Sequence, residues 1–229
     1  MHWLNYIIPR LVYKTQSSYN HDICVYEEAG KYKLLVNGSR ESGEFIKRMW
    51  SDALLALHMR KQDSIKRILV LGVAGGTVIH LLHDMYPNAV IVGVDIDDVM
   101  IGIGKKYFGL EEMKSLICIT DDAKHYVQEY IGKNFDCIVV DVFIGSDVPS
   151  FVQQKAFHKH IHHMLHSHGS VLINYAFKTG AEDVSADIHL LLASIYSNVF
   201  IHRTQYNRFF LACNCHPGLD PGSREEEKT

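Results

Sequence analysis

The chain has 229 residues, of which 47% are hydrophobic and 21% are charged, and its formal net charge at pH 7 is -3. This length and composition fit one globular domain with a small extension. A slightly acidic chain offers no overall positive field for gripping phosphates, so we expect no nucleic-acid partner. No apolar run approaches the ~20 residues that cross a membrane, and the interrupted apolar segment at the N-terminus lacks a signal-peptide core. We therefore expect a soluble, cytoplasmic protein with no membrane partner.

The cysteines agree with a reducing compartment. There are five, an odd number, and none forms a Cys-x-x-Cys pair. Cys118 and Cys137 lie inside apolar runs that are typical of strands. We interpret the cysteines as reduced thiols, which is their usual state in the cytoplasm.

The first predicted elements are a hairpin and a helix. Residues 22–36 form two strand-like runs around Ala29-Gly30, so we predict that residues 1–43 are a small N-terminal β-hairpin extension. Such a hairpin is expected to serve as a lid or as a contact in a homodimer. Residues 44–60 carry apolar side chains at helical spacing and predict a helix that packs beside the first core strand.

Residues 67–97 form the most informative segment, because they have the pattern of a strand, a glycine turn, a helix and a second strand. Gly72, Gly75 and Gly76 permit a ligand to approach the backbone closely. Asp95 lies about twenty residues beyond the turn, where a carboxylate at a strand end can accept hydrogen bonds from both ribose hydroxyls. The spacing therefore favours a nucleoside ligand. An ordinary βαβ unit without a ligand is the alternative.

Strands and helices then alternate as far as residue 195, which predicts a parallel sheet covered on both faces. The last two apolar runs, 199–204 and 208–213, are only three residues apart, too few for a crossover helix, so they predict an antiparallel hairpin at the sheet edge. The fold class is therefore α/β: a Rossmann-like, mostly parallel seven-stranded sheet with a C-terminal antiparallel hairpin. Residues 214–229 are rich in Pro, Gly and charge and predict a disordered tail. The remaining helices are predicted at 97–107, 123–131, 150–165 and 182–195, and the remaining strands at 115–120, 135–142 and 170–176.

From about Asp22 to Cys213 the chain resembles the spermidine synthase-like group of class I S-adenosylmethionine-dependent transferases. The resemblance lies in the order of six motifs: VNGSRESG, MWSDALLAL, LGVAGG, VGVDID, ITDDAKHYV and VVDVFIGSDVP. It implies a transferase domain over residues 44–213 that uses S-adenosylmethionine or its decarboxylated form, without a metal, and moves an aminopropyl group to a small-molecule amine. A methyltransferase acting on another nucleophile and a non-catalytic nucleoside-binding relative are the alternatives.

The resemblance implies a role for each cofactor-binding residue. Asp95 binds the ribose, Asp122 binds the adenine amino group, and the turn of Gly72, Gly75 and Gly76 lies against the thioether part of the cofactor. Ribose hydroxyls suit a carboxylate because charge-assisted hydrogen bonds are stronger than neutral ones. Asp122 also precedes a helical run, so a helix cap with or without a ligand contact is possible.

Asp141 is the predicted catalytic residue, since it follows the fourth strand at the end where open α/β sheets bind ligands. In aminopropyltransferases the matching acid takes a proton from the attacking amine, which must be neutral to react. A loop-capping acid without a chemical role is the alternative. Asp147, on the next loop, is a candidate for binding a substrate ammonium, or else a turn residue beside Pro149.

Several positions depart from true spermidine synthases. Those enzymes usually carry an acid in the glycine turn, where this chain has Gly75, and another acid three residues after the catalytic one, where it has Ile144. Trp50 replaces part of a polar cluster on the early helix, and Glu41 stands where a glutamine is usual. Trp50 and Glu41 are therefore predicted substrate contacts, with an exposed hairpin acid as the alternative for Glu41. Without the turn acid, the two forms of the cofactor are expected to bind within about tenfold.

Six of the fifteen histidines fall within residues 157–169, FHKHIHHMLHSHG. The i, i+4, i+8 spacing of His158, His162 and His166 fits a divalent metal in principle. The apolar residues of this segment lie on another face, so we expect the histidines to face solvent and to bind no functional metal.

Overall fold

The computed structural model describes residues 9–61, 63–145, 147–176 and 184–214. Residues 215–229, nearly all of the predicted tail, and residues 182–183 of a predicted helix lie outside these ranges. The strands of the described part are β1 (Arg10–Thr15), β2 (Ile23–Glu28), β3 (Lys31–Val36), β4 (Ser39–Ser42), β5 (Arg67–Leu71), β6 (Val90–Asp95), β7 (Leu116–Thr120), β8 (Phe135–Val140), β9 (Leu165–Ala176), β10 (Asn198–Arg203) and β11 (Asn207–Cys213). The α-helices are α1 (Glu44–Ala56), α2 (Thr77–Met85), α3 (Asp98–Phe108), α4 (Ala123–Glu129), α5 (Lys155–Met164) and α6 (Ser185–Ala193).

The large sheet has seven strands in the order β10-β11-β9-β8-β5-β6-β7, and only β11 runs antiparallel to its neighbours. The predicted fold class and its edge hairpin are confirmed. The strand order reverses at β5, which lies between β6 and β8. A crevice therefore forms at the carboxyl ends of β5 and β8, where doubly wound sheets bind ligands.

The central strands are buried on both faces, and successive side chains point to opposite layers. Ile68 and Val70 of β5 pack with α1 and α2, whereas Leu69 and Leu71 pack against the layer formed by α4, α5 and α6. The predicted apolar face of α1 holds at its C-terminal end, but Phe45 is 54% exposed. Among the described helices, none has the length and apolarity that crossing a membrane requires.

The N-terminal hairpin is confirmed as β2 and β3, and two further strands extend it to a four-stranded antiparallel sheet. Ala29 and Gly30 form the tight turn with positive φ angles of 51° and 73°. The buried face of this sheet, including Ile23 and Leu34, packs against α3. β4, with the sequence SRES, has no apolar alternation, so its sequence gives no strand signal. Its position matters because Ser42, its last residue, lies beside Gly75 of the glycine turn.

The expectation of a solvent-facing histidine stripe is wrong at His158. This side chain is fully buried, and its Nε2 lies 2.6 Å from the carbonyl oxygen of Val152. Burial lowers the pKa of His158, which favours the neutral ring. His166 lies on β9, beyond the end of α5, so the three residues do not share one helix face. In the described ranges, no three His, Cys, Asp or Glu side chains are arranged to hold a metal ion.

Candidate active site

A cavity of about 230 Å³ opens at the carboxyl ends of β5, β6 and β8, beside the N-terminal sheet. The structure brings together Gly72 and four predicted acids here, and it adds Asp97. Among the described residues that line the cavity there is no Lys, Arg or His. The cavity is therefore acidic and suits a cationic ligand. The five carboxylate residues of its wall are Glu41, Asp95, Asp97, Asp122 and Asp141.

The glycine turn allows β5 and β8 to meet closely. Gly72 has a φ of 94°, and a Cβ atom added to it would lie 2.0 Å from the carbonyl oxygen of Asp141. Gly76 also has a positive φ, and its Cβ would lie 2.5 Å from the side chain of Leu110. Both positions therefore require glycine, for conformational and steric reasons.

Asp95 ends β6 and holds the glycine turn. Its Oδ2 accepts hydrogen bonds from the backbone N–H groups of Val73, at 2.8 Å, and Ala74, at 3.1 Å, and its Oδ1 accepts one from Asp97, at 3.0 Å. Burial raises the pKa of Asp95, while these three N–H donors act in the opposite direction. The carboxylate lies at the cavity wall, at the strand end where a ribose-binding acid is expected.

Asp97 is a residue of the site that the sequence did not single out. It is buried and caps α3, because its Oδ1 accepts from the N–H of Val99. Its Oδ2 accepts from the hydroxyl of Ser17 and from Nδ2 of Asn20. These bonds fasten the segment between β1 and β2, from which Tyr19 and Asn20 reach the cavity. An Asp directly before a helical run is a local capping signal that could have indicated Asp97. Its contact with Ser17, eighty residues away in the chain, has no local signal.

Asp122 caps α4 and also lines the cavity. Its Oδ1 accepts hydrogen bonds from the backbone N–H groups of Lys124, at 2.8 Å, and His125, at 3.0 Å. The capping alternative is therefore present in the structure. Because the same carboxylate borders the cavity, capping is compatible with a ligand contact.

Asp141 follows β8 and is held by side chains from distant elements. Its Oδ1 accepts a hydrogen bond of 2.8 Å from Nδ2 of Asn174, and Oδ1 of Asn174 accepts one of 2.8 Å from Asn207. Burial raises the pKa of Asp141 to about 6, and hydrogen bonds from Asn174 and Trp50 oppose the increase. The nearby charge of Asp95 adds to the increase. Asp141 is thus a fixed carboxylate with a pKa close to neutrality, which suits a general base.

Two predicted substrate contacts lie elsewhere. Trp50 is 1% exposed, is not among the cavity-lining residues, and packs edge-to-face on Phe209 with ring centroids 5.0 Å apart. Its contribution to the site is the hydrogen bond to Asp141. Asp147 is exposed and does not line the cavity, although its backbone pairs with that of Ile144, which does line it. The geometry therefore favours the turn alternative for Asp147.

Comparison with known proteins identifies the fold. No family model matches the chain. The chain is 28% identical over 172 residues to polyamine aminopropyltransferase 2 of Caldanaerobacter subterraneus subsp. tengcongensis, covering 73% of this chain and 58% of the relative. It is 29% identical over 151 residues to the polyamine aminopropyltransferase of Vibrio vulnificus, covering 64% and 50%. The chain thus spans little more than half the length of these curated relatives.

A probable spermidine synthase from Corynebacterium glutamicum superposes with a TM-score of 0.76 at 17% identity, over 90% of this chain and 81% of the other. The chain has a spermidine synthase-like class I methyltransferase fold. In agreement, human methyltransferase-like protein 13 in complex with SAH superposes with a TM-score of 0.60 at 20% identity, over 80% of this chain and 85% of the other.

At one position of this spermidine synthase-like fold, β4 takes the space of a turn side chain. A Cβ atom added to Gly75 would lie 2.2 Å from Oγ and 2.6 Å from Cβ of Ser42. Ser42 is buried, and its hydroxyl lies 2.7 Å from Oγ1 of Thr77. The turn therefore has no room for an acid while Ser42 is in place.

Glu41 precedes Ser42 and lines the cavity, so the alternative of an exposed hairpin acid does not hold. Burial raises the pKa of Glu41 to about 7, and the charges of Asp141 and Asp95 add to the increase. The three carboxylates therefore lie close enough to repel one another. A carboxylate therefore remains in this region although the turn acid is missing. The expectation that both cofactor forms bind within about tenfold took only the missing turn acid into account, and Glu41 argues against it.

Proposed function

We propose that the protein is an aminopropyltransferase that moves the aminopropyl group of decarboxylated S-adenosylmethionine to an amine. The observation that carries the proposal is the cavity wall, with five carboxylates and no basic side chain among its described residues. Decarboxylated S-adenosylmethionine carries a sulfonium and an ammonium, whereas S-adenosylmethionine carries a carboxylate as well. An acidic wall attracts the first and repels the extra carboxylate of the second. The similarity to polyamine aminopropyltransferases points the same way.

In this proposal the nucleoside lies over the ends of β5, β6 and β7. Asp95 accepts hydrogen bonds from the ribose hydroxyls, and Asp122 accepts one from the adenine amino group. Gly72 lets the sulfonium region approach the backbone where β5 and β8 meet. The aminopropyl tail then extends from the ribose towards Asp141.

Asp141 is the proposed base. An aliphatic amine arrives mainly as an ammonium ion, and the reaction requires it to lose one proton. The neutral nitrogen attacks the aminopropyl carbon bonded to sulfur and forms a new C–N bond. The C–S bond breaks, its electron pair stays on sulfur, and methylthioadenosine leaves as a neutral thioether. Asp141 takes the proton of the amine and returns it to solvent, while Asn174 and Trp50 keep its carboxylate oriented.

The test is the product. Purified protein is incubated with decarboxylated S-adenosylmethionine and a panel of monoamines, diamines and longer polyamines, and mass spectrometry follows methylthioadenosine and the aminopropylated amine. We expect amine-dependent methylthioadenosine formation that is absent with intact S-adenosylmethionine. Release of S-adenosylhomocysteine from intact S-adenosylmethionine would instead support the methyltransferase alternative, which is the activity named for a Drosophila melanogaster relative that is 30% identical over 123 residues, 50% of this chain and 18% of the relative. Binding without either product would support a nucleoside-binding relative.

A further inference from the structure

We propose that Glu41 selects the decarboxylated substrate by pairing with the ammonium group of its tail, so that β4 supplies the charge that the glycine turn does not. This inference rests on the proposed function and names the residue that decides its substrate preference. This selection has a steric part, at Gly75 and Ser42, and an electrostatic part, at Glu41 and its neighbouring acids.

The steric part concerns the volume next to the turn. Gly75 does not have a positive φ, so its backbone conformation admits a side chain. The obstacle is Ser42, whose Oγ and Cβ both lie within 2.6 Å of the position that a Cβ at residue 75 would take. Its hydrogen bond with Thr77 holds Ser42 there. An acid on the turn and a serine at residue 42 therefore exclude each other.

The electrostatic part concerns Glu41 and two other acids that line the same cavity, Asp95 and Asp141. The charges of Asp141 and Asp95 both raise its pKa, so Glu41 lies near the proposed base and near the proposed ribose ligand. A tail that runs from the ribose to the base lies in the cavity that this carboxylate lines together with Asp95 and Asp141. An ammonium group there would offset the repulsion among the three acids, which no described cation of the cavity wall does.

The other two acids of the wall have local partners. Asp97 accepts hydrogen bonds from Ser17, Asn20 and the N–H of Val99. Asp122 lies at the start of α4, where it accepts two backbone N–H bonds. The charges that raise the pKa of Glu41 are instead those of Asp141 and Asp95. Glu41 is therefore the acid best placed to read the tail without taking part in proton transfer.

The experiment compares three ligands by isothermal titration calorimetry at pH 8, where Glu41 is mostly ionised. The ligands are decarboxylated S-adenosylmethionine, S-adenosylmethionine and methylthioadenosine, which lacks a charged tail. In Glu41→Gln we expect at least a tenfold loss of affinity for the decarboxylated form, with methylthioadenosine affinity within threefold of wild type. The matched control is Glu44→Gln, which removes an equal charge from an exposed residue of α1 that pairs with Lys31 at 2.9 Å. We expect the control to bind all three ligands as wild type does.

A rescue variant tests the steric part. In the Glu41→Gln background, Ser42→Gly removes the two obstructing atoms and Gly75→Asp places an acid in the turn. We expect this triple variant to regain most of the preference for the decarboxylated form. A triple variant that binds methylthioadenosine normally but regains no preference would place the ammonium away from this volume and overturn the proposal.

Failure of this inference differs from failure of the proposed function. If wild type forms methylthioadenosine and Glu41→Gln keeps the full preference for the decarboxylated form, Glu41 is not the selecting residue and the aminopropyltransferase proposal stands. If no amine yields methylthioadenosine, the proposed reaction fails, and the ligand titrations still show whether Glu41 reads the tail.

Discussion

At the proposed nucleoside end of the cavity, Asp95 and Asp122 accept hydrogen bonds from backbone N–H groups. At the proposed tail end, Asp141 is instead held by the side chains of Asn174 and Trp50. The donors to Asp95 lie in the adjoining glycine turn and at the start of α3. The donors to Asp141 come from β9 and α1, more than thirty residues away in either direction. The first arrangement follows from the βαβ unit, and the second depends on particular residues elsewhere in the chain.

This difference explains which part of the site kept a recognisable pattern. Backbone donors do not depend on the identity of the residue that carries them, so Val73 and Ala74 supply these N–H groups as other residues would. At the tail end, a charge can move from the turn to β4 if the neighbouring volumes change together, as Gly75 and Ser42 illustrate. Under the proposed function, the nucleoside end therefore indicates the fold, and the tail end is where we expect substrate selection.

The largest effect is expected at Asp141. Asp141→Asn removes the proton acceptor but keeps the shape, so kcat should fall about 10²–10⁴-fold while the Kd for methylthioadenosine stays within about threefold. The control is Asp121→Asn, at an acid that pairs with His125 and does not line the cavity, and it should retain activity. If Asp141→Asn instead loses nucleoside binding, Asp141 is a cofactor-binding residue, and the two ends of the cavity do not have separate roles.

Asp95→Ala tests the nucleoside end. It removes the acceptor of the proposed ribose bonds and also frees the N–H groups of Val73 and Ala74, so methylthioadenosine binding should weaken by about 2–4 kcal/mol. Calorimetric titration measures the change. Asp98→Ala, at an exposed residue in the first turn of α3, should leave affinity nearly unchanged. Equal affinities for wild type and Asp95→Ala would refute the ribose assignment.

Asn174→Ala tests whether side chains control the tail end. The hydrogen bond from Asn174 stabilises the ionised form of Asp141 and lowers its pKa, so its loss should raise that pKa. The acid limb of the pH profile of kcat/KM should therefore move to higher pH, with kcat at pH 7 reduced about tenfold. Asn207→Ala, one hydrogen bond further away, should cause a smaller shift. An unchanged acid limb in Asn174→Ala would mean that Asp141 does not set the profile.

The smallest effect concerns stability without ligand. The pKa of Glu41 is raised from its ordinary 4.5 to about 7, so the ionised form is disfavoured in the folded state, and stability is lost as pH rises through this range. Glu41→Gln removes that loss. Its Tm should exceed that of wild type by about 2–4 °C at pH 8, for a gain of about 1 kcal/mol, and the difference should vanish near pH 4. Differential scanning calorimetry measures it, and a variant less stable than wild type at pH 8 would show that Glu41 is not strained by its neighbours.

The errors of prediction share a cause. β4 was missed because SRES is polar and only four residues long, and its pairing with β3 decides its structure. His158 was placed in solvent because a histidine counts as polar in any periodic pattern, yet the carbonyl of Val152 gives it a buried partner. Trp50 was predicted as a substrate contact from its motif position, which stays a prediction, but neither its burial nor its hydrogen bond to Asp141 has a local signal. In each case, tertiary partners outweighed the local pattern.

The sequence by itself determined the alternation of strands and helices, the edge hairpin, and the positions of Asp95, Asp122 and Asp141 at strand ends or helix starts. These features depend on periodicity and on short-range spacing, which a single chain displays directly. Only the tertiary structure decided that Ser42 excludes a side chain at Gly75, that Glu41 lines the same cavity as Asp141 and Asp95, and that Asn174 donates a hydrogen bond to Asp141. Those relations join residues that are more than thirty positions apart, and their energies arise from excluded volume and from charges brought together in a site of low dielectric constant.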